Sequence, residues 1–202
     1  MNDDISTDIQ VWFLRHGKTS FDYEHSSYAN FIDMLCNGNE KRLLKKHGIK
    51  FEMLPDRVEL VAYSPALRAV DTAKVLRKKL GVKPMEELEL LREVRFDCNI
   101  ILPQEYISLA RSRKDILKRW HDGRNKEESF EDSLARVRKI ESFLSERQEK
   151  TIILVTHGWF LRLLKLYFVQ GNHTPTIDDL LKVKPVPLGH CIRATVARKS
   201  RV

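Results

Sequence analysis

Compact apolar runs alternate along this chain with longer stretches in which apolar residues recur every three or four positions. Ile9 to Leu14, Val58 to Tyr63 and Thr151 to Val155 are short and aliphatic, as strands buried on both faces are. Cys191 to Ala197 reads as a last strand, and Leu88 to Val94 as a mixed segment leading out of the sheet. Ala66 to Leu80 carries Leu67, Val70, Ala73, Val75 and Leu76 at near-helical spacing; Pro65 suits its first turn, Ser64 can cap it and Gly81 stops it. Pro103 opens a basic amphipathic helix over Gln104 to Trp120. Ser129 and Asp132 form a capping box ahead of a stripe of Phe130, Leu134, Val137, Ile140 and Leu144. Trp159 to Val169 is a core helix with Gly171 at its end.

Strands alternating with helices predict an α/β three-layer sandwich, with a mostly parallel central sheet and helices on both faces. The 202 residues fit a single domain over 1–202, with variable segments at about 22–56 and 97–126. A hydrophobic content of 42% is enough for a sizeable core. Met1 to Asp8 is polar and acidic, unlike a secretory signal, and Trp159 to Val169 is too short to span a bilayer and contains Arg162 and Lys165. No membrane partner is expected. Cys36, Cys98 and Cys191 are widely spaced and read as free thiols in a reducing compartment, not as metal ligands, so the expected location is cytoplasmic. The net charge of +8 favours anionic partners without choosing among them. Its lysines and arginines are spread over several helices without interleaved aromatics, so no nucleic acid is expected.

Chemistry concentrates at strand ends. Arg15-His16-Gly17 and Thr156-His157-Gly158 each follow an apolar run, and parallel strands open their carboxyl ends into a common crevice. The histidines are therefore expected to meet, with Gly17 letting the backbone turn sharply beside the first ring. Ser64-Pro65-Ala66-Leu67-Arg68 adds an arginine on the first turn of a helix that leaves another strand, and Leu91-Arg92-Glu93 adds a carboxylate.

These four segments, in this order, resemble the histidine phosphatase superfamily, the fold of phosphoglycerate mutase and its phosphatase relatives. The separations match members that act as phosphatases, and Val94-Arg95-Phe96-Asp97 after Glu93 is unlike the mutase signature. The resemblance implies a phosphomonoesterase acting on a small phosphorylated metabolite, with neither metal nor cofactor. It makes His16 the nucleophile that carries a covalent phosphoryl group, and Glu93 the acid and then the base. His157 becomes a donor to the transferring group, while Arg15 and Arg68 bind phosphate oxygens and favour the neutral His16 ring. Thr19 flanks the pocket as a hydrogen-bond donor. Asp22 stands where many members have Asn, so it turns outward, binds a substrate hydroxyl or weakens the phosphate site, since an ionised carboxylate cannot donate. Glu128-Ser129 resembles a Glu-Ser element found before the long helix in phosphatase members. The cationic residues of 111–119 are expected to favour a substrate with a second acidic group. A phosphoprotein phosphatase, a mutase-type phosphotransferase and a non-catalytic binding module remain as alternatives.

Overall fold

The computed structural model describes residues 8–21, 41–97 and 109–199, with 109–113 as backbone alone. Strands Ile9–Arg15 (β1), Leu60–Tyr63 (β2), Met85–Glu87 (β3), Thr151–Thr156 (β4) and Cys191–Val196 (β5) form one sheet in the order β3-β2-β4-β1-β5. All neighbours run parallel except β5, which is antiparallel to β1. The apolar runs are continuous because both faces are covered. Val11, Phe13, Ile152 and Leu154 point into a core shared with helices Phe130–Ser145 (α3) and Gly158–Leu164 (α4). Their chain neighbours Leu14, Ile153 and Val155 point to the other face, against Ala69, Ala73 and Leu76 of helix Leu67–Leu80 (α1). Each fully buried aliphatic or aromatic side chain there contributes about 1.5–3 kcal/mol. Because both faces are covered, a one-residue register slip would push side chains shaped for one core into the other and spoil the packing of both.

The helix signals are partly those expected. Gly81 ends α1 with φ 68°, and its amide donates to Arg77 O at 3.0 Å. The Ser129 box is present: Asp132 N donates to Ser129 Oγ at 3.0 Å and Ser129 N to Asp132 Oδ2 at 3.1 Å. Ser64, however, does not cap α1. Ala66 occupies that position; the Ser64 hydroxyl accepts from Ala66 N at 3.3 Å, just ahead of the helix, and also faces the sheet's carboxyl edge. The stretch after His157 is α-helical only to Leu164 and continues as a π-helical turn, Lys165–Val169, before Gly171 at φ 64° redirects the chain.

The basic helix is described over Leu109–His121 (α2); Pro103 and Gln104 lie outside the described residues. Ile116, Leu117 and Trp120 enter the core, where Trp120 meets Phe96 and Phe130 edge-on, and Lys114 and Lys118 are exposed. Strand β3 and a short helix Ile177–Lys182 (α5) complete the fold. Among the described residues no helix is long and apolar enough to cross a membrane.

Sheet register positions the site. Arg15 lies opposite Thr156 on parallel neighbours, so His16 and His157 step off the sheet side by side. Tyr63 lies opposite Val155, which brings Ser64 alongside.

Candidate active site

The His16 amide donates to Thr156 O at 3.0 Å, continuing the ladder one residue beyond the strands. Its ring and that of His157 are 5.2 Å apart between centroids, 2% and 0% exposed. Partners dictate both tautomers. His16 Nδ1 faces Gly17 O at 2.8 Å, and a carbonyl only accepts, so Nδ1 carries the proton and Nε2 keeps a lone pair. Arg68 Nε donates to His16 Nε2 at 3.2 Å and to His157 Nδ1 at 3.1 Å. An arginine never accepts, so His157 Nδ1 is the unprotonated nitrogen and its Nε2–H donates to Ser64 Oγ at 2.7 Å.

Both rings are held neutral. Burial, then the charges of Arg68 and Arg15, push His16 well below the usual histidine value, against a smaller opposing pull from the Gly17 carbonyl. Burial, then Arg68, does the same to His157. Arg68, 6% exposed, is fixed from α1, whose Thr72 hydroxyl donates to Arg68 O at 2.7 Å and accepts from Gly17 N at 3.1 Å. Thr72 thereby ties the helix to the His16 loop. Arg15 is half-buried, donates to Val186 O at 2.9 Å and lies flat against Gly158, where an added Cβ would come within 2.9 Å of its Nη2.

Glu93 joins through the first turn of α4. Its Oε1 accepts from Trp159 N at 3.1 Å, Phe160 N at 2.9 Å and Val94 N at 3.1 Å, while Oε2 has, among the described residues, only the shared Trp159 contact, at 3.1 Å. A carboxylate is thus anchored by one oxygen beside the second histidine, with the other oxygen less engaged.

A family model for the histidine phosphatase superfamily, branch 1, matches residues 11–179. The chain belongs to this superfamily. A probable phosphatase of Schizosaccharomyces pombe is 27% identical over 179 residues, covering 78% of each chain. Among solved structures, mycobacterial hydrolase 1 has TM-score 0.67 and 17% identity, covering 93% of this chain and 92% of the other. Mycobacterial glucosyl-3-phosphoglycerate phosphatase in complex with VO3 has TM-score 0.61 and 17% identity, covering 92% of each. The α-ribazole phosphatase from Shigella flexneri has TM-score 0.56 and 18% identity, covering 94% and 95%. At these identities the structural likenesses establish a shared fold.

Within that family frame, Arg15, His16, Arg68 and His157 come together as expected, and Glu93 lies at their edge. Gly17 lies outside the left-handed region, and its missing side chain lets His47 O approach, 2.7 Å from where a Cβ would sit. Two points differ from expectation. Both ring nitrogens of His157 are engaged within the protein, so in this arrangement it grips Arg68 rather than presenting a free donor. Thr19 is buried, but its hydroxyl accepts from Phe21 N at 3.4 Å within its own loop. Asp22 lies outside the described residues. Ser64 and Thr72 are site residues that sequence reasoning missed. Ser64 had a signal, since it leaves the strand next to His157, but a serine before Pro reads first as a cap. Among the described residues no group of three or more His, Cys, Asp or Glu is placed to hold a metal ion.

Proposed function

We propose that the chain is a phosphomonoesterase that hydrolyses a small phosphorylated metabolite through a phosphohistidine on His16, with no metal or cofactor. One observation carries the reading: His16 is pinned through Nδ1–H to Gly17 O, which leaves Nε2 as the nucleophilic atom beside cationic donors. A single N–H of Arg68 is shared between the two rings. Its shift toward His157 Nδ1 releases the His16 lone pair while keeping the positive charge next to the phosphoryl group. Nε2 attacks phosphorus and the P–O bond to the leaving group breaks, with Glu93 supplying the proton to that oxygen. The imidazolium charge formed on phosphorylation is stabilised by Gly17 O at Nδ1–H. Water then attacks the phosphorus as Glu93 takes its proton, and the N–P bond breaks to return neutral His16 and phosphate. Arg15 supplies the second cation that a metal would otherwise provide.

A panel of sugar phosphates, nucleotides, phosphoglycerates and phosphopeptides assayed in EDTA tests this directly. Turnover is expected to survive chelation, and His16→Ala is expected to lose at least about 10⁴-fold. Rapid quench with labelled substrate should trap an acid-labile, alkali-stable phosphoryl group on His16. Turnover in His16→Ala, or its loss in EDTA, would overturn the reading.

A further inference from the structure

Glu93 stands on a stretch, 92–97, without helix or strand. Backbone groups there cannot be satisfied by a ladder, and side chains from another part of the chain satisfy them instead. Arg136 Nη1 donates to Leu90 O at 3.3 Å and Arg92 O at 2.9 Å. Glu128 Oε2 accepts from Arg95 N at 3.0 Å. Asn125 takes two more: its Nδ2 donates to Arg95 O and its Oδ1 accepts from Asp97 N, each at 2.7 Å. These three side chains bracket Glu93 on both sides.

They also meet the groups that hold the Glu93 carboxylate. The Arg136 guanidinium lies 4.1 Å over the ring of Phe160, whose amide donates to Glu93. Glu128, 5% exposed, pairs with Arg136 at 2.6 Å, an ionic contact rather than a well-directed hydrogen bond, and accepts from Ser133 Oγ at 2.5 Å. Asn125 closes the set by donating to Glu128 O at 2.6 Å. Removing an ion pair from water costs free energy that its mutual attraction recovers only in part. The ion pair is therefore not explained by stability alone; what the polar set adds, by taking up backbone groups that an apolar cluster would leave unpaired, is a specified course for the backbone that carries Glu93.

We infer that Asn125, Glu128 and Arg136 are positioning residues for Glu93, setting its carboxylate where a leaving oxygen can take a proton. This rests on the reading of Glu93 as proton donor. Proton donation matters most for a poor leaving group. An alkoxide leaving from an alkyl or sugar phosphate needs the proton during P–O cleavage, whereas 4-nitrophenolate departs without it.

The experiment compares kcat/KM on glycerol phosphate and 4-nitrophenyl phosphate for wild type, Glu93→Gln, Asn125→Ala, Arg136→Lys and the double variant Glu93→Gln/Asn125→Ala, each checked by circular dichroism and thermal melting. Arg136→Lys keeps the charge should Asn125→Ala fold poorly. Each single variant is expected to lose about 10- to 100-fold on the alkyl ester and less than about threefold on the aryl ester. In the double variant Asn125→Ala should add nothing once Glu93 is gone. Selective loss in Glu93→Gln with equal losses on both esters in the folded Asn125→Ala and Arg136→Lys, or additive losses in the double variant, would overturn this inference alone. Equal losses in Glu93→Gln itself would overturn the proton-donor reading and this inference with it.

Discussion

One N–H of Arg68 faces two imidazole lone pairs, and burial first, then this cation, keeps both rings neutral. A protonated His16 would have to face Arg68 with like charge and no lone pair to offer, inside a buried site where repulsion is weakly screened. Neutral His16 is therefore available well below pH 6.5, the ordinary histidine value. Arg68→Met removes the second-largest cause of that depression, after burial itself. The expected result is a loss of about 10²–10³-fold in kcat, with the acid limb of kcat/KM moved upward toward neutrality. A pH profile whose limb stays put while kcat falls would mean that Arg68 acts on the phosphoryl group alone. At this scale the histidines were readable from sequence because each follows an aliphatic run and precedes glycine. Thr72 was not, because a threonine within a helix has no local mark of a partner 55 positions earlier in the chain. Asn125 and Arg136 were hidden for the same reason: their bonds to Arg95 and Arg92 are made by tertiary folding.

The elements carry these side chains by where they start and end. Helix α4 begins directly after His157, so its first amides reach Glu93 and its first residue, Gly158, leaves room for the Arg15 guanidinium. Gly158→Ala sets two effects against each other. Alanine favours a helix over glycine by about 1 kcal/mol, so melting temperature should hold or rise. Its methyl would come 2.9–3.2 Å from Arg15 atoms tied down by Val186 O, forcing the guanidinium to shift. A displacement of this kind is expected to raise KM for phosphate esters by about tenfold or more. Steady-state kinetics alongside a melt checks it, and unchanged KM would show that Arg15 does not contact substrate. The elements themselves were unevenly legible. The central strands stood out through runs such as Ile152 to Val155, whereas Met85–Glu87 is three residues with two glutamates and follows no strand pattern. The antiparallel direction of β5 depends on its connection, not its composition. Helix α5 had a readable start, since Thr176 and Asp179 form a capping box, but its six residues give too little periodicity to register. Apolar spacing over Lys165–Val169 likewise does not distinguish a π-turn from an α-helix.

For the molecule as a whole, the cluster makes folding depend on pH. His16 and His157 are both held below 6.5 in the fold and return to their ordinary value on unfolding. In acid the unfolded chain binds protons that the folded chain refuses, so protonation favours unfolding. The stability tied to the neutral rings is complete above pH 6.5 and is lost as pH falls from there toward the depressed folded values. Each histidine contributes a slope of up to about 1.4 kcal/mol per pH unit, so together they approach about 2.7. The carboxylates with lowered values, Asp122, Asp132 and Asp179, start from 3.8 and act in a separate, more acidic window. Urea unfolding followed at steps from about pH 7.5 to 5 should therefore show a plateau and then a steepening decline. His16→Gln should remove about half of that slope while abolishing turnover, which separates the cost of holding this ring neutral from the chemistry proposed for it. A flat profile across that interval would mean that the two rings are not held neutral, and the tautomer argument for Nε2 attack would fall with it.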